Sequence, residues 1–192
     1  MKKIQRNEIL DLGAYEGVRN QFRTRIIALK KRRRVSVGDH LTFVFENRDT
    51  MLWQIQEMVR TERITKESAI QHEVDTYNDL VPSPGHLSAT LMIEYDDREE
   101  RARMLGAFHD LGDHVSLVVG DRAFKAVFQP LDGEEEDRLP AVNYLRFEVG
   151  HDPIAALRDR EVAVSLRVTH PEYRAEQELA IAAREELAED LE

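Results

Sequence analysis

VSLVVGDRAFKAVF, residues 115–128, decides the fold class. Val115 to Val119 is a run rich in β-branched residues, Gly120-Asp121 is a turn pair, and Ala123 to Phe128 resumes the apolar pattern. Two short apolar runs joined by a tight turn form a hairpin, and a hairpin is antiparallel. Working outward, Val142 to Val149 and Val162 to Val168 read as two further strands. Leu87, Ala89, Leu91, Ile93 and Tyr95 alternate with Ser88, Thr90, Met92 and Glu94, the period of a half-buried strand. Val35 to Phe45 is strand-like as well, with Gly38-Asp39 turning it midway.

Helical signals surround these strands. Asn7 caps a short first turn, Glu8 to Leu12, which Gly13 breaks. From Ala14 a helix carries Tyr15, Val18, Phe22, Ile26 and Leu29 as an apolar stripe and ends near Lys30–Arg34. A helical pair follows, from about Met51 to Arg63 and from about Lys66 to Val81, and Pro82-Ser83-Pro84-Gly85 stops it. Asp97 caps a helix reaching about Phe108. DGEEED at 132–137 reads as an exposed acidic loop. Pro171 ends the last strand, and Tyr173 to Leu191 reads as an amphipathic helix. The sequence thus predicts an α+β single domain, 1–192, with several helices on a mostly antiparallel sheet of about five to six strands. Residues 1–82 hold a basic arm and the helical pair, 83–170 the sheet, and 171–192 the C-terminal helix.

The chain has 192 residues, no cysteine and a formal net charge of −10. Without cysteine it has no disulfide framework, no Cys-ligated zinc or iron–sulfur centre and no thiol nucleophile of its own. No apolar run approaches the ~18–20 residues of a membrane span, and MKKIQRNEIL lacks an apolar signal core, so a cytoplasmic protein is expected. GxGxxG, GxxxxGK[ST] and GxSxG are absent. Nucleotide-loop and serine-hydrolase chemistry therefore have no motif behind them. The charge is unevenly spread. Residues 1–34 carry 11 Lys and Arg against three acids, a net +8, and the remainder nets −18. A basic arm of this kind meets either an anionic partner or the acidic body of its own domain.

Residues 9–64, ILDLGAYEGVRNQFRTRIIALKKRRRVSVGDHLTFVFENRDTMLWQIQEMVRTERI, resemble a bacterial family called domain of unknown function 3501. KKRRRVSVGD followed by FENRDTMLWQIQEM carries the likeness, and AVNYLRFEV at 141–149 adds to it. What the resemblance implies is company rather than chemistry. Members are often encoded beside rubrerythrin-like diiron proteins and cysteine-rich iron–sulfur proteins similar to heterodisulfide reductase subunits. An accessory role near redox or oxidative-stress chemistry follows, with such a protein as partner.

Three groups of residues are candidates for binding. Arg19, Arg23, Lys30, Lys31, Arg32, Arg33 and Arg34 form a cationic stripe suited to an acidic protein or a small anion, or to holding the acidic body. Nucleic acid fits less well, because the acidic remainder repels a polyanion. Trp53 lies opposite the apolar stripe of its helix, beside Arg60, and is either covered by another element or an anchor for a partner or flat ligand. On the strands, Lys125, Tyr144, Arg146 and Arg167 share a polar face with Glu94. That face is either a solvated surface with cross-strand charge pairs or an anion-gripping ligand surface. His109, Asp113 and His114 in HDLGDH bring metal-type donors together. The segment also reads as a helix-to-strand turn, and no metal or other cofactor is expected. The expectation is a non-enzymatic interaction protein. The alternatives are a small-anion binder or enzyme with a pocket between the Trp53 helix and the sheet, and a nucleic-acid binder through Lys30–Arg34. A homodimer through the C-terminal helix is also open.

Overall fold

The computed structural model describes residues 1–129 and 138–192, so the acidic DGEEED segment lies outside the described residues. Eight strands form one antiparallel sheet: β1 (Arg34–Val37), β2 (Leu41–Glu46), β3 (His86–Ile93), β4 (Val115–Val119), β5 (Arg122–Gln129), β6 (Val142–Glu148), β7 (Val164–His170) and β8 (Tyr173–Glu178). Their order is β1-β2-β3-β6-β5-β4-β7-β8. Among the described residues six α-helices accompany them: α1 (Leu12–Arg33), α2 (Arg48–Thr61), α3 (Glu67–Asn78), α4 (Arg98–Ala107), α5 (Ile154–Arg158) and α6 (Ile181–Leu191).

The sheet curls into a near-barrel around its inward side chains. Register fixes which these are: Phe43 faces Leu91 and Val35, Leu145 faces Ala89 and Phe128, and Leu117 faces Leu166 and Phe124. Val37, Phe43, Phe45, Leu87, Leu91, Leu117, Phe147, Val164 and Leu166 are fully buried in one core. Met104, Leu105 and Phe108 of α4 and Leu187, Ala188 and Leu191 of α6 complete that core. The two edge strands are brought together by a side chain. Tyr173 of β8 donates its hydroxyl hydrogen to Val37 O of β1 at 2.7 Å and accepts from His40 N at 3.1 Å.

A second core lies outside the sheet, under α2 and α3, where Met51, Ile55, Val59, Ile70, Val74 and Tyr77 meet Ile4 and Ile9 of the N-terminal segment. Buried amides fasten that segment. Asn78 accepts from Ile4 N at 2.8 Å and donates to Ile4 O at 2.9 Å, and Gln56 holds Leu10 the same way at 3.0 Å and 3.0 Å. Backbone groups leaving an element are thereby satisfied, as burial requires.

Five expectations are corrected. The sheet has eight strands, not five to six. Residues 173–178 are strand β8, so the C-terminal helix starts at Ile181. YRAEQE has helix-forming composition, but pairing with β7 and the Tyr173 contact to β1 override local propensity. Gly13 lies inside α1, because Asp11 accepts from Ala14 N at 2.9 Å and so starts the helix one residue before it. The early turn is a 3-10 turn at Arg6–Glu8, not a turn over 8–12. The stripe of α1 also shifts. Val18 is 42% exposed, and the inward row runs Tyr15, Arg19, Phe22, Ile26, Leu29 and Arg33, with two arginines in it.

Candidate functional site

That inward row of α1 divides the basic residues into held and unheld. Arg19 donates from Nε and Nη2 to both oxygens of Glu57 at 2.8 Å, and the Tyr15 hydroxyl donates to the same carboxylate at 2.6 Å. Arg60 pairs with Glu16 at 2.7 Å. At the other end of α1, Arg32 pairs with Glu186 at 2.6 Å. Arg33, only 2% exposed, reaches Glu186 at 2.9 Å and grips both oxygens of Asp190 at 2.6 and 2.8 Å. The basic arm thus binds its own acidic body through α2 and α6.

The Glu57 carboxyl is held below its ordinary value of about 4.5, chiefly by the Arg19 guanidinium and further by the Tyr15 hydroxyl, although burial opposes both. The Tyr15 phenol is pushed up by burial and by Glu57. A carboxyl with a depressed folded-state pKa stabilises the fold above its unfolded value and loses that contribution as pH falls through the folded value. Glu57→Gln is therefore expected to lower the urea midpoint clearly at pH 7 and much less at pH 3. Equal deficits at both pH values would refute this.

What remains unheld forms a cleft. Arg23, Ile26, Ile27, Lys30, Lys31 and Arg34, with Ser36 of β1 and Trp53 of α2, enclose about 560 Å³. Among the described residues no carboxylate pairs with Arg23, Lys31 or Arg34, and Lys30 has only Glu46 behind it at 3.7 Å. Trp53 is half-buried, and Phe22 and Tyr15 pack edge-on against it with ring centroids 5.2 and 6.1 Å away. It is covered by α1 on one side and lines the cleft with the rest. Ile26 is buried at the floor and Ile27 is 52% exposed at the rim. The cleft offers permanent cations over an apolar surface, a combination that attracts anions and shelters an apolar body.

The sheet-face residues do share one side, since Arg146 lies across from Val127, and Ser116 across from both Lys125 and Arg167. They do not converge on one ligand position. Arg146 donates to Asp79 O at 3.0 Å, Lys125 lies 3.6 Å from Asp113, and Arg167 is paired with Glu176 at 2.8 Å. Tyr144 lies under the helical layer beside Tyr77, where burial pushes its phenol up to about 12.

Two of the HDLGDH donors meet a third that sequence reasoning missed. Asp110, His114 and His170 place their ligand atoms within 4.8 Å of one another, whereas His109 and Asp113 stay outside the group. The signal was strand register: Val115 pairs with Val168, which carries His114 toward Thr169 and His170. Hydrogen bonding decides the chemistry of the group. Glu172 N–H donates to His170 Nδ1 at 3.1 Å, so the ring hydrogen sits on Nε2 and donates to Asp110 at 2.9 Å. A metal on Nε2 would need the other tautomer, with its Nδ1–H facing the Glu172 N–H. The group is wired as a histidine–aspartate hydrogen bond, not as a ligand set.

No helix among the described residues is long and apolar enough to cross a membrane. The family model described as "Protein of unknown function (DUF3501)" matches residues 3–191. A crystal structure of a novel protein of unknown function from Burkholderia pseudomallei K96243 is similar to this chain. The two share 36% identity over 100% of both chains, with a TM-score of 0.91. No curated protein matches the chain.

Proposed function

The chain belongs to the DUF3501 family of proteins of unknown function, and we propose that it is a non-enzymatic accessory protein that holds an anion, a small organic one or an acidic group of a partner, in the cleft between α1, β1 and Trp53. The observation that carries this reading is the set of unpaired cations. Arg19, Arg32, Arg33 and Arg60 are consumed by carboxylates, while Arg23, Lys31 and Arg34 are left facing one apolar cleft. The lining contains no carboxylate and no histidine, so it suits binding rather than acid–base chemistry. Three open cations fall short of the ~6–10 phosphate contacts typical of a duplex binder. The genomic company implied by the family supports placing the partner in a redox system, such as an iron–sulfur or rubrerythrin-like protein. A chain without cysteine would leave the thiols to that partner.

The single tryptophan lines the cleft and supplies the readout. Its emission is expected to change when a short acidic peptide or a small organic anion is titrated in at low salt. The triple variant Arg23→Ala/Lys31→Ala/Arg34→Ala should bind at least about tenfold more weakly, a loss of roughly 1.4 kcal/mol or more. Because these side chains are exposed and unpaired, its stability should stay within about 0.5 kcal/mol of the parent. Equal affinity in the triple variant, or no response to any anion, would remove the proposal.

A further inference from the structure

We infer that the occupant of this cleft is an organic phosphate monoester, its dianionic head among Lys30, Lys31 and Arg34 and its apolar body over Ile26, Ile27 and Trp53. This rests on the anion-binding reading and narrows it. The order of residues along α1 gives the cleft two ends. Lys30 and Lys31 lie in the last turn of α1 and Arg34 follows it directly as the first residue of β1, while Arg23 lies about 10 Å of helix rise from Lys30 in the other direction. Ile26 and Ile27 stand between them, with Trp53 from α2. A bare inorganic anion uses the cationic end alone and leaves this apolar stretch wet. A ligand with a hydrocarbon or aromatic body buries it.

Charge sets the head group. Lys30 is backed by Glu46, a carboxylate only 3% exposed that also accepts from the Thr90 hydroxyl at 2.7 Å. Glu46 anchors the ammonium from behind and offsets much of its charge. Lys31 and Arg34 then leave about two unopposed positive charges at that end. A phosphate monoester carries about −1.5 to −2 at neutral pH, whereas a monocarboxylate carries one. Arg34 supplies a planar fork that fits two phosphate oxygens, and the Ser36 hydroxyl follows it on the same face of β1. The volume, about 560 Å³, suits one small organic molecule. The same headgroup chemistry occurs in a phosphatidic acid bilayer, but a cleft of this size takes the single soluble molecule.

The test titrates hexyl phosphate, hexanoate, inorganic phosphate and a short polyglutamate peptide against the emission of Trp53, with phosphatidic acid vesicles as a separate arm. Hexyl phosphate is expected to bind at least tenfold more tightly than hexanoate and than inorganic phosphate. Its advantage over hexanoate should shrink below about pH 6, where the dianionic head takes up one proton and becomes a monoanion. Lys31→Gln/Arg34→Gln should abolish that advantage, and Ile27→Ser should reduce the advantage over inorganic phosphate. Hexanoate binding as tightly would overturn the head assignment, and inorganic phosphate binding as tightly would overturn the body. Binding to vesicles but not to hexyl phosphate would overturn the soluble-ester assignment. If only polyglutamate binds, the phosphate inference fails and the anion-binding reading stands. If nothing binds, both fail.

Discussion

Arg33→Met is expected to cost about 3–5 kcal/mol, read as a lower urea midpoint with an unchanged slope. Arg33 sits at the last position of α1 with 2% of its surface exposed, and it supplies two hydrogen bonds to Asp190, itself 5% exposed. Removing the guanidinium strands a carboxylate away from water with no other cation in its ion pair. Arg32 does not replace it, because its partner is Glu186. Domain stabilities run to about 5–15 kcal/mol, so about a fifth of the total or more is at stake. Burial already pushes the Asp190 carboxyl up against the pull of Arg33. In the variant the pull is gone, and the folded state takes up a proton that the unfolded state does not hold. The deficit should therefore narrow as pH falls from 7 toward 5. The double variant Arg33→Met/Asp190→Leu removes both charges and should recover most of the loss. A deficit below about 1 kcal/mol, or no recovery in the double variant, would show that the pair is not what ties α1 to α6.

This pair also shows how far the sequence could be read. The +8 arm and −18 body are visible in the residues alone, and self-pairing follows as one use of the arm. Which cations are left over is not visible, because Glu186 and Asp190 lie more than 150 positions from Arg32 and Arg33. The cleft is whatever the tertiary pairing leaves unsatisfied. Ile26 was legible as part of an apolar stripe, but Ile27 and Ser36 join the site through the packing of α1 over β1. The strands with period-two alternation were legible, as was the hairpin at Gly120. Strand β8 was not, since its six residues carry a helical composition and become a strand through what they pair with. His170 escaped for the same reason: its neighbour in space is set by the register of β4 on β7, not by its neighbours in sequence.

The seam between β1 and β8 is where a small change should act on both stability and the cleft. Tyr173→Phe removes one hydroxyl and leaves two backbone groups, Val37 O and His40 N–H, without their partner. The groups are partly buried, so a loss of about 2 kcal/mol is expected. Gly38→Ala should cost more, about 3–4 kcal/mol. Gly38 has φ +65°, which costs an alanine about 1–2 kcal/mol. Its added methyl would also overlap the Tyr173 hydroxyl and crowd Ala175, and so break the same two hydrogen bonds. The two effects separate in a double-mutant cycle. On a Tyr173→Ala background the overlap with the hydroxyl disappears, and Gly38→Ala should cost only its backbone strain and the milder crowding of Ala175. A coupling of about 2 kcal/mol is expected, and full additivity would mean that the tyrosine does not close the seam. β1 also carries Arg34 and Ser36 into the cleft, so its attachment matters beyond stability. Loosening its outer edge should raise amide exchange at Val37 and His40 and weaken anion binding in the same variants. The Arg33→Met/Asp190→Leu pair, which leaves the seam intact, should keep its affinity.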